Sequence, residues 1–240
     1  MELSKLTAGG VADLEGARAV VVGAGHGVGP EVVAGLLAAG ARVVADAEGL
    51  AGAAFVAGAS HPATYLDAAT EILGGLDVLV LSAPPVKNKP VLDMTPDEMR
   101  SVAEDEMVLP ALLMQEAARR MVASGYGRII VFASMSAKTG VHHNVAPYAA
   151  AKGGLLAFAR VLAAETAEHG VTVNAIATAL FEPQTRTMTE EKRSGLLKAI
   201  PVGRFGRSEE AAHAVLFLAS PQAGFVTGEC LNLSGGRFMD

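Results

Sequence analysis

The chain has 240 residues, 51% hydrophobic and 18% charged, which supplies a large core and excludes wholesale disorder. A formal charge of −6 argues against nucleic acid or an anionic membrane surface as the main partner. One cysteine, Cys230, cannot form an internal disulfide; with no apolar leader at 1–16 and no sustained apolar span, the expectation is a soluble cytoplasmic protein.

Short β-branched runs alternate with helical patterns. The predicted elements, in chain order, are strand Arg18–Val22, helix Val28–Ala39, strands Arg42–Ala45 and Ala53–Ala57, helix Pro62–Leu73, strand Asp77–Leu81, helix Pro96–Ser124, strand Arg128–Ala133, helix Tyr148–His169, strand Val171–Ala177, helices Glu190–Lys198 and Glu209–Ala219, and strand Glu229–Leu233. Several strands are continuous apolar runs, as in a parallel sheet covered on both faces. The sequence therefore predicts an α/β fold, a doubly wound sheet of about seven strands in one domain over 1–240. Thr95-Pro96-Asp97-Glu98 carries an N-cap, a first-turn proline and acids, and Ser208-Glu209-Glu210 repeats the signal more weakly. Between the second and third strands there is room for only a turn, so the usual crossover helix is reduced to a loop and the sheet edge near 47–60 is poorly covered.

Val20-Val21-Val22-Gly23-Ala24-Gly25-His26-Gly27-Val28-Gly29 follows a strand and opens a helix. A dinucleotide pyrophosphate must approach backbone N–H groups at a helix N-terminus, where Cβ atoms block it; glycines at 23, 27 and 29 give the turn, the approach and the helix–strand contact. Asp46 follows the second strand. An acid there accepts bonds from ribose hydroxyls and repels a 2′-phosphate, favouring NAD(H) over NADP(H). The bland alternatives are a glycine-rich turn that binds nothing and a solvated loop acid.

Tyr148 and Lys152 stand four apart on one helix face. An ammonium beside a phenol stabilises the phenolate, and a tyrosine so tuned can exchange a proton with a carbonyl or alcohol oxygen. Ser134 ends a buried strand at the edge that faces a ligand crevice and can bond the same oxygen. Taken alone, a Tyr-x-x-x-Lys match is mostly a surface pair.

Together with Gly16-Ala17-Arg18, the tail Val202-Gly203-Arg204-Phe205-Gly206, Val226-Thr227-Gly228 and Ser234-Gly235-Gly236, these motifs make the chain resemble the short-chain dehydrogenase/reductase family over nearly its whole length. The resemblance implies a Rossmann-type domain, hydride transfer with NAD(H) or, second, NADP(H), and interconversion of a ketone and a secondary alcohol. It implies Tyr148 as acid/base, Ser134 orienting the substrate oxygen, and Lys152 holding the ribose and tuning Tyr148. Cofactor contacts are implied at Gly23, His26, Gly27, Val28, Gly29, Asp46, Ala83, Tyr148, Lys152 and Phe181. It also implies a homo-oligomer, tetramer or dimer, pairing through helices 96–124 and 148–169.

The chain departs from the family at several points. Val22 replaces a loop-bracing hydroxyl, Leu81-Ser82-Ala83-Pro84 replaces the strand-four amide motif, and Thr178-Ala179 replaces Pro-Gly. Asp67, the nearest aspartate to the family's adenine contact, falls in a helix. Glu106 stands at the family's helix asparagine: it pairs with Lys152 and weakens its effect on Tyr148, or relays protons, or belongs to a solvated run, Glu104-Asp105-Glu106. Pro110 can bend the same helix. At the substrate end, residues 135–147 overhang the crevice with His142, His143 and Asn144, and a small lid spans 181–200. Met135, Phe181 and Met188 are expected at an apolar pocket mouth suited to an apolar or alicyclic skeleton. Adjacent His142 and His143 converge poorly, so no metal is expected. Two alternatives stay open: a non-redox enzyme similar to halohydrin dehalogenases, against which Lys152 and Gly27 argue, and a non-catalytic subunit of the same fold.

Overall fold

The computed structural model describes residues 13–82, 86, 88–140, 142–186 and 188–239. The strands are β1 (Arg18–Val22), β2 (Arg42–Ala45), β3 (Ala54–Phe55), β4 (Val78–Leu81), β5 (Gly127–Ser134), β6 (Val171–Thr178) and β7 (Cys230–Leu233). Among the described residues they form one parallel sheet in the order β3-β2-β1-β4-β5-β6-β7, which confirms the doubly wound architecture. The order reverses between β1 and β4, so a crevice opens at their carboxyl ends, where open α/β sheets bind ligands.

Helices cover both faces, which is why the strands carry apolar residues without alternation. On one side α2 (Pro62–Leu73), α4 (Leu109–Ser124) and α5 (Ala146–Thr166) pack Leu66, Leu113, Met121 and Leu155 against the sheet. On the other, α1 (Gly29–Ala38) and α8 (Ser208–Ala219) contribute Val32, Leu36, Val215 and Leu218. No helix among the described residues is long and apolar enough to cross a membrane.

Two expectations change. The strand predicted at Ala53–Ala57 shrinks to Ala54–Phe55, because residues 46–53 form no helix to cover it and Phe55 stands 42% exposed. The helix predicted at Pro96–Ser124 divides into α3 (Pro96–Ala103), a widened π-type turn at Glu104–Val108, and α4. Pro110 has no N–H to give to a carbonyl one turn back, and the helix accommodates it with the Leu109 amide bonding Glu104 O. The predicted cap is present: Thr95 Oγ1 accepts the Glu98 amide while Glu98 accepts the Thr95 amide. Two short helices follow β6, α6 (Glu182–Thr185) and α7 (Glu190–Leu197), in the region expected to hold the lid.

Candidate active site

The glycine loop turns out of β1 directly into α1. Gly27 has φ +57°, and a Cβ there would meet nothing within 4 Å, so the loop leaves open space at that point. Gly29 is the opposite case: a Cβ would lie 2.6 Å from the carbonyl oxygens of both Gly23 and Ala24. Val28 turns its side chain into the α1/α8 core, whereas His26 is exposed and lines the crevice.

Asp46 reaches back from the end of β2 to the loop. Its two carboxylate oxygens accept the amides of Gly23 (2.8 Å) and Ala24 (2.9 Å). The bracing that Val22 cannot supply thus comes from the strand next door. Asp46 also lines a cavity of about 590 Å³ that runs from Gly23, His26 and Asp46 at one end to Glu106, Tyr148 and Lys152 at the other. Ala83 lies outside the described residues.

At the far end, β5 delivers Ser134 and the first turns of α5 deliver Tyr148 and Lys152. Ser134 Oγ accepts the Ser136 amide at 3.1 Å and hydrogen-bonds Tyr148. Lys152 Nζ donates to Phe132 O at 3.1 Å, lies 5.9 Å from the centre of the Tyr148 ring and stands 3.1 Å from Glu106 Oε2. Lys152 and Glu106 are both buried. The wider turn before Pro110 swings Glu106 inward while Glu104 and Asp105 stay exposed, so the solvated-run reading holds for those two only.

The electrostatics differ from the sequence expectation of an acidified phenol. Burial pushes Tyr148 up to about 12; the Ser134 hydrogen bond opposes this and the Glu106 charge adds to it. Burial also lowers Lys152, against the pull of Glu106.

Phe181 is not brought to this site. It pairs with Gly206, where any Cβ would sit 2.8 Å from its ring, and it is 2% exposed within the α1/α8 core. Met135 is likewise core, 3% exposed. The apolar mouth expected from Met135 and Phe181 is therefore corrected. Neither residue lines this cavity: Met135 packs in the core, and Phe181 borders a separate small cavity with Leu180, Ile200 and Leu233. The apolar wall of the cavity comes instead from Leu109, Pro110 and Leu113 of α4 and Val131 of β5, which in sequence look like ordinary core positions. His142 Nδ1 lies 3.2 Å from Ser136 Oγ and 3.3 Å from Thr139 Oγ1; burial, then the Arg237 charge, lowers its pKa. Among the described residues no group of His, Cys, Asp and Glu is placed to hold a metal ion.

The family described as enoyl-(acyl carrier protein) reductase matches residues 23–237. The chain is 33% identical over 243 residues to 3-oxoacyl-(acyl-carrier-protein) reductase FabG of Escherichia coli, covering 95% of this chain and 99% of that one. It is 34% identical over 241 residues to the reductase of the same name from Salmonella typhimurium, covering 94% and 98%. A solved putative short-chain alcohol dehydrogenase from Sinorhizobium meliloti superposes with a TM-score of 0.87 at 31% identity, over 94% of this chain and 97% of that one. A Thermus thermophilus structure superposes at 0.86 and 29% identity, over 92% and 98%.

Proposed function

The chain belongs to the short-chain dehydrogenase/reductase family, a family of NAD(P)-dependent oxidoreductases, and on that premise we propose that it interconverts a ketone and a secondary alcohol with NAD(H), Tyr148 serving as acid/base. The observation that carries this reading is that Tyr148, hydrogen-bonded to Ser134, and Lys152 line one end of a cavity whose other end is the glycine loop. The residues fit a dinucleotide. Open space at Gly27 and the N-terminus of the ten-residue helix α1 suit a pyrophosphate, and Asp46 lines the adenosine end. When bound, the nicotinamide supplies or takes the hydride. Tyr148 Oη holds or gives the proton, Ser134 Oγ orients the reacting oxygen, Lys152 Nζ faces the ribose, and Leu109, Pro110 and Leu113 exclude water.

The preference for NAD(H) rests on charge. Residues 19–86, which build the adenosine side, contain a single lysine or arginine, Arg42. Its guanidinium is tied to Leu73 O and Ile72 O from the amino end of β2, away from Asp46. Among the described residues of this side, a 2′-phosphate would meet the Asp46 carboxylate and no lysine or arginine.

The names of the relatives put 3-oxoacyl thioesters first among candidate substrates, ahead of alicyclic ketones. Exposed Val108 and Leu112 on the α4 side and Val161 on α5 support a homo-oligomer, dimer or tetramer, paired through these helices. A cytoplasmic location fits the single buried Cys230. The test is turnover of NADH by purified protein against 3-oxoacyl thioesters and cyclic ketones, with thermal shifts in NAD(H) and NADP(H) in parallel. Saturation at ~100 Kd adds about 2.7 kcal/mol of stability. No shift with either dinucleotide would sink the proposal.

A further inference from the structure

Glu106 is a carboxylate buried at the catalytic end of the cavity, and the fold spends a distorted turn to put it there. The Leu109 amide skips to Glu104 O ahead of Pro110, and the widened turn carries Glu106 inward to stand 3.1 Å from Lys152 Nζ. Lys152 also donates to Phe132 O, so one side of its ammonium is held by the protein. Nζ lies 5.9 Å from the centre of the Tyr148 ring and only 3.1 Å from Glu106 Oε2, so the nearer anion offsets much of the cation's field at the phenol. The other titratable groups lining the cavity among the described residues are Asp105 on the same turn and Asp46 and His26 at the dinucleotide end. From β5, Ser134 faces the phenol as a hydrogen-bond partner without charge. Glu106 is therefore the nearest charge that offsets Lys152.

We propose that Glu106 is a positioning residue that holds Lys152 charge-compensated, keeps Tyr148 as a protonated phenol, and so biases the enzyme toward carbonyl reduction over alcohol oxidation. The inference rests on the proposed function and assigns its favoured direction. In reduction the Tyr148 O–H bond breaks and an O–H bond forms at the substrate oxygen, while the carbonyl carbon receives the hydride and both its electrons from the reduced nicotinamide. The phenolate left behind recovers its proton from solvent. The reverse reaction needs the phenolate at the start, the form the compensated lysine leaves unsupported.

The chain has three tyrosines and no tryptophan, so tyrosinate absorbance titrates cleanly. The experiment compares wild type, Glu106→Gln and Glu106→Asn, each with and without Tyr148→Phe to assign the Tyr148 step, all without dinucleotide. The expected result is a Tyr148 step above the ordinary phenol value in wild type, held up first by burial, that falls measurably in both Glu106 variants as the Glu106 charge is removed. With dinucleotide and substrate, the ratio of oxidation to reduction kcat at neutral pH rises by the factor that the titration shift sets, about tenfold per unit, and the alkaline limb of oxidation moves by the same amount. A wild-type Tyr148 step at or below about 10, which needs no Glu106 variant to fold, overturns the proposal. So do Tyr148 steps that coincide across wild type and variants. Absence of carbonyl turnover at any pH overturns the proposed function instead, since the titration is read on protein alone.

Discussion

Asp46 closes the glycine loop on Gly23: its Oδ2 accepts the Gly23 amide at 2.8 Å, and the second oxygen takes the next amide along. One carboxylate therefore both shapes the loop and places a negative charge at this end of the cavity. Those two roles separate by substitution. Asp46→Ala removes the loop's brace and leaves part-buried amides without their acceptor, a loss of about 1–3 kcal/mol, so affinity for NAD(H) and NADP(H) falls together. Asp46→Asn keeps one acceptor and removes the charge, so it mainly narrows the preference between the two. Isothermal titration with each dinucleotide checks this; an unchanged preference in Asp46→Asn would exclude the charge argument.

The two glycines of the loop respond differently to the same added methyl. Gly29→Ala drives a Cβ to 2.6 Å from two carbonyl oxygens and must displace the loop or α1, at a cost of about 1–3 kcal/mol, with loss of dinucleotide binding. Gly27→Ala meets no atom and bears only the left-handed backbone cost, about 1–2 kcal/mol. Thermal melts paired with NADH fluorescence titration read both effects. Equal losses of NADH binding in the two variants would contradict the difference in space at the two glycines.

Tyr148→Phe is expected to reduce turnover at least ~100-fold, the low end of general acid–base contributions, while NADH still raises the melting temperature. In the proposed reaction the phenol hydroxyl serves the reacting oxygen while the ring of the variant fills the same place, so chemistry and binding part company. Turnover within tenfold of wild type would remove Tyr148 from the proton-transfer role.

Acid stability should depend on Asp77. Arg18 grips its carboxylate with backbone N, Nε and Nη2 at 2.8, 2.8 and 2.6 Å. Burial works to raise the Asp77 pKa, but these bonds outweigh it and the net shift is below 3.8. A carboxyl whose folded pKa is depressed stabilises the fold above its unfolded value and loses that contribution as pH falls through the folded one. Wild type should therefore exceed Asp77→Asn by about 1–3 kcal/mol at pH 7, and the gap should narrow as the pH falls below 3.8 through the folded value. Urea melts of both proteins at pH 7 and pH 2.5 measure it; a gap of the same size at both would rule out the ionised pair as its source.

Much of the fold was written locally. Runs such as Val20-Val21-Val22 and Ile129-Ile130-Val131 mark doubly covered strands without any knowledge of neighbours, and Thr95 and Glu98 build their cap within one turn. The missing crossover helix followed from the short stretch between β2 and β3 alone. Ser134, Tyr148 and Lys152 were legible because strand end and helix spacing are short-range rules, and the structure brings all three together.

What stayed hidden depends on contacts between residues far apart in the chain. Phe181 read as a pocket residue because nothing near it announces Gly206, whose missing Cβ makes room for the ring. Asp46 carried two readings until β1 and β2 were laid side by side and its oxygens met the loop amides. Glu106 carried three, and the choice fell to a distorted turn ahead of Pro110 facing a lysine on another helix. Periodicity, caps and turn chemistry act over a few bonds, so the amino-acid order by itself determined the α/β layout and which groups could do chemistry. Electrostatic contact acts through space, so only the packed chain decided that the Lys152 ammonium stands 3.1 Å from the Glu106 carboxylate.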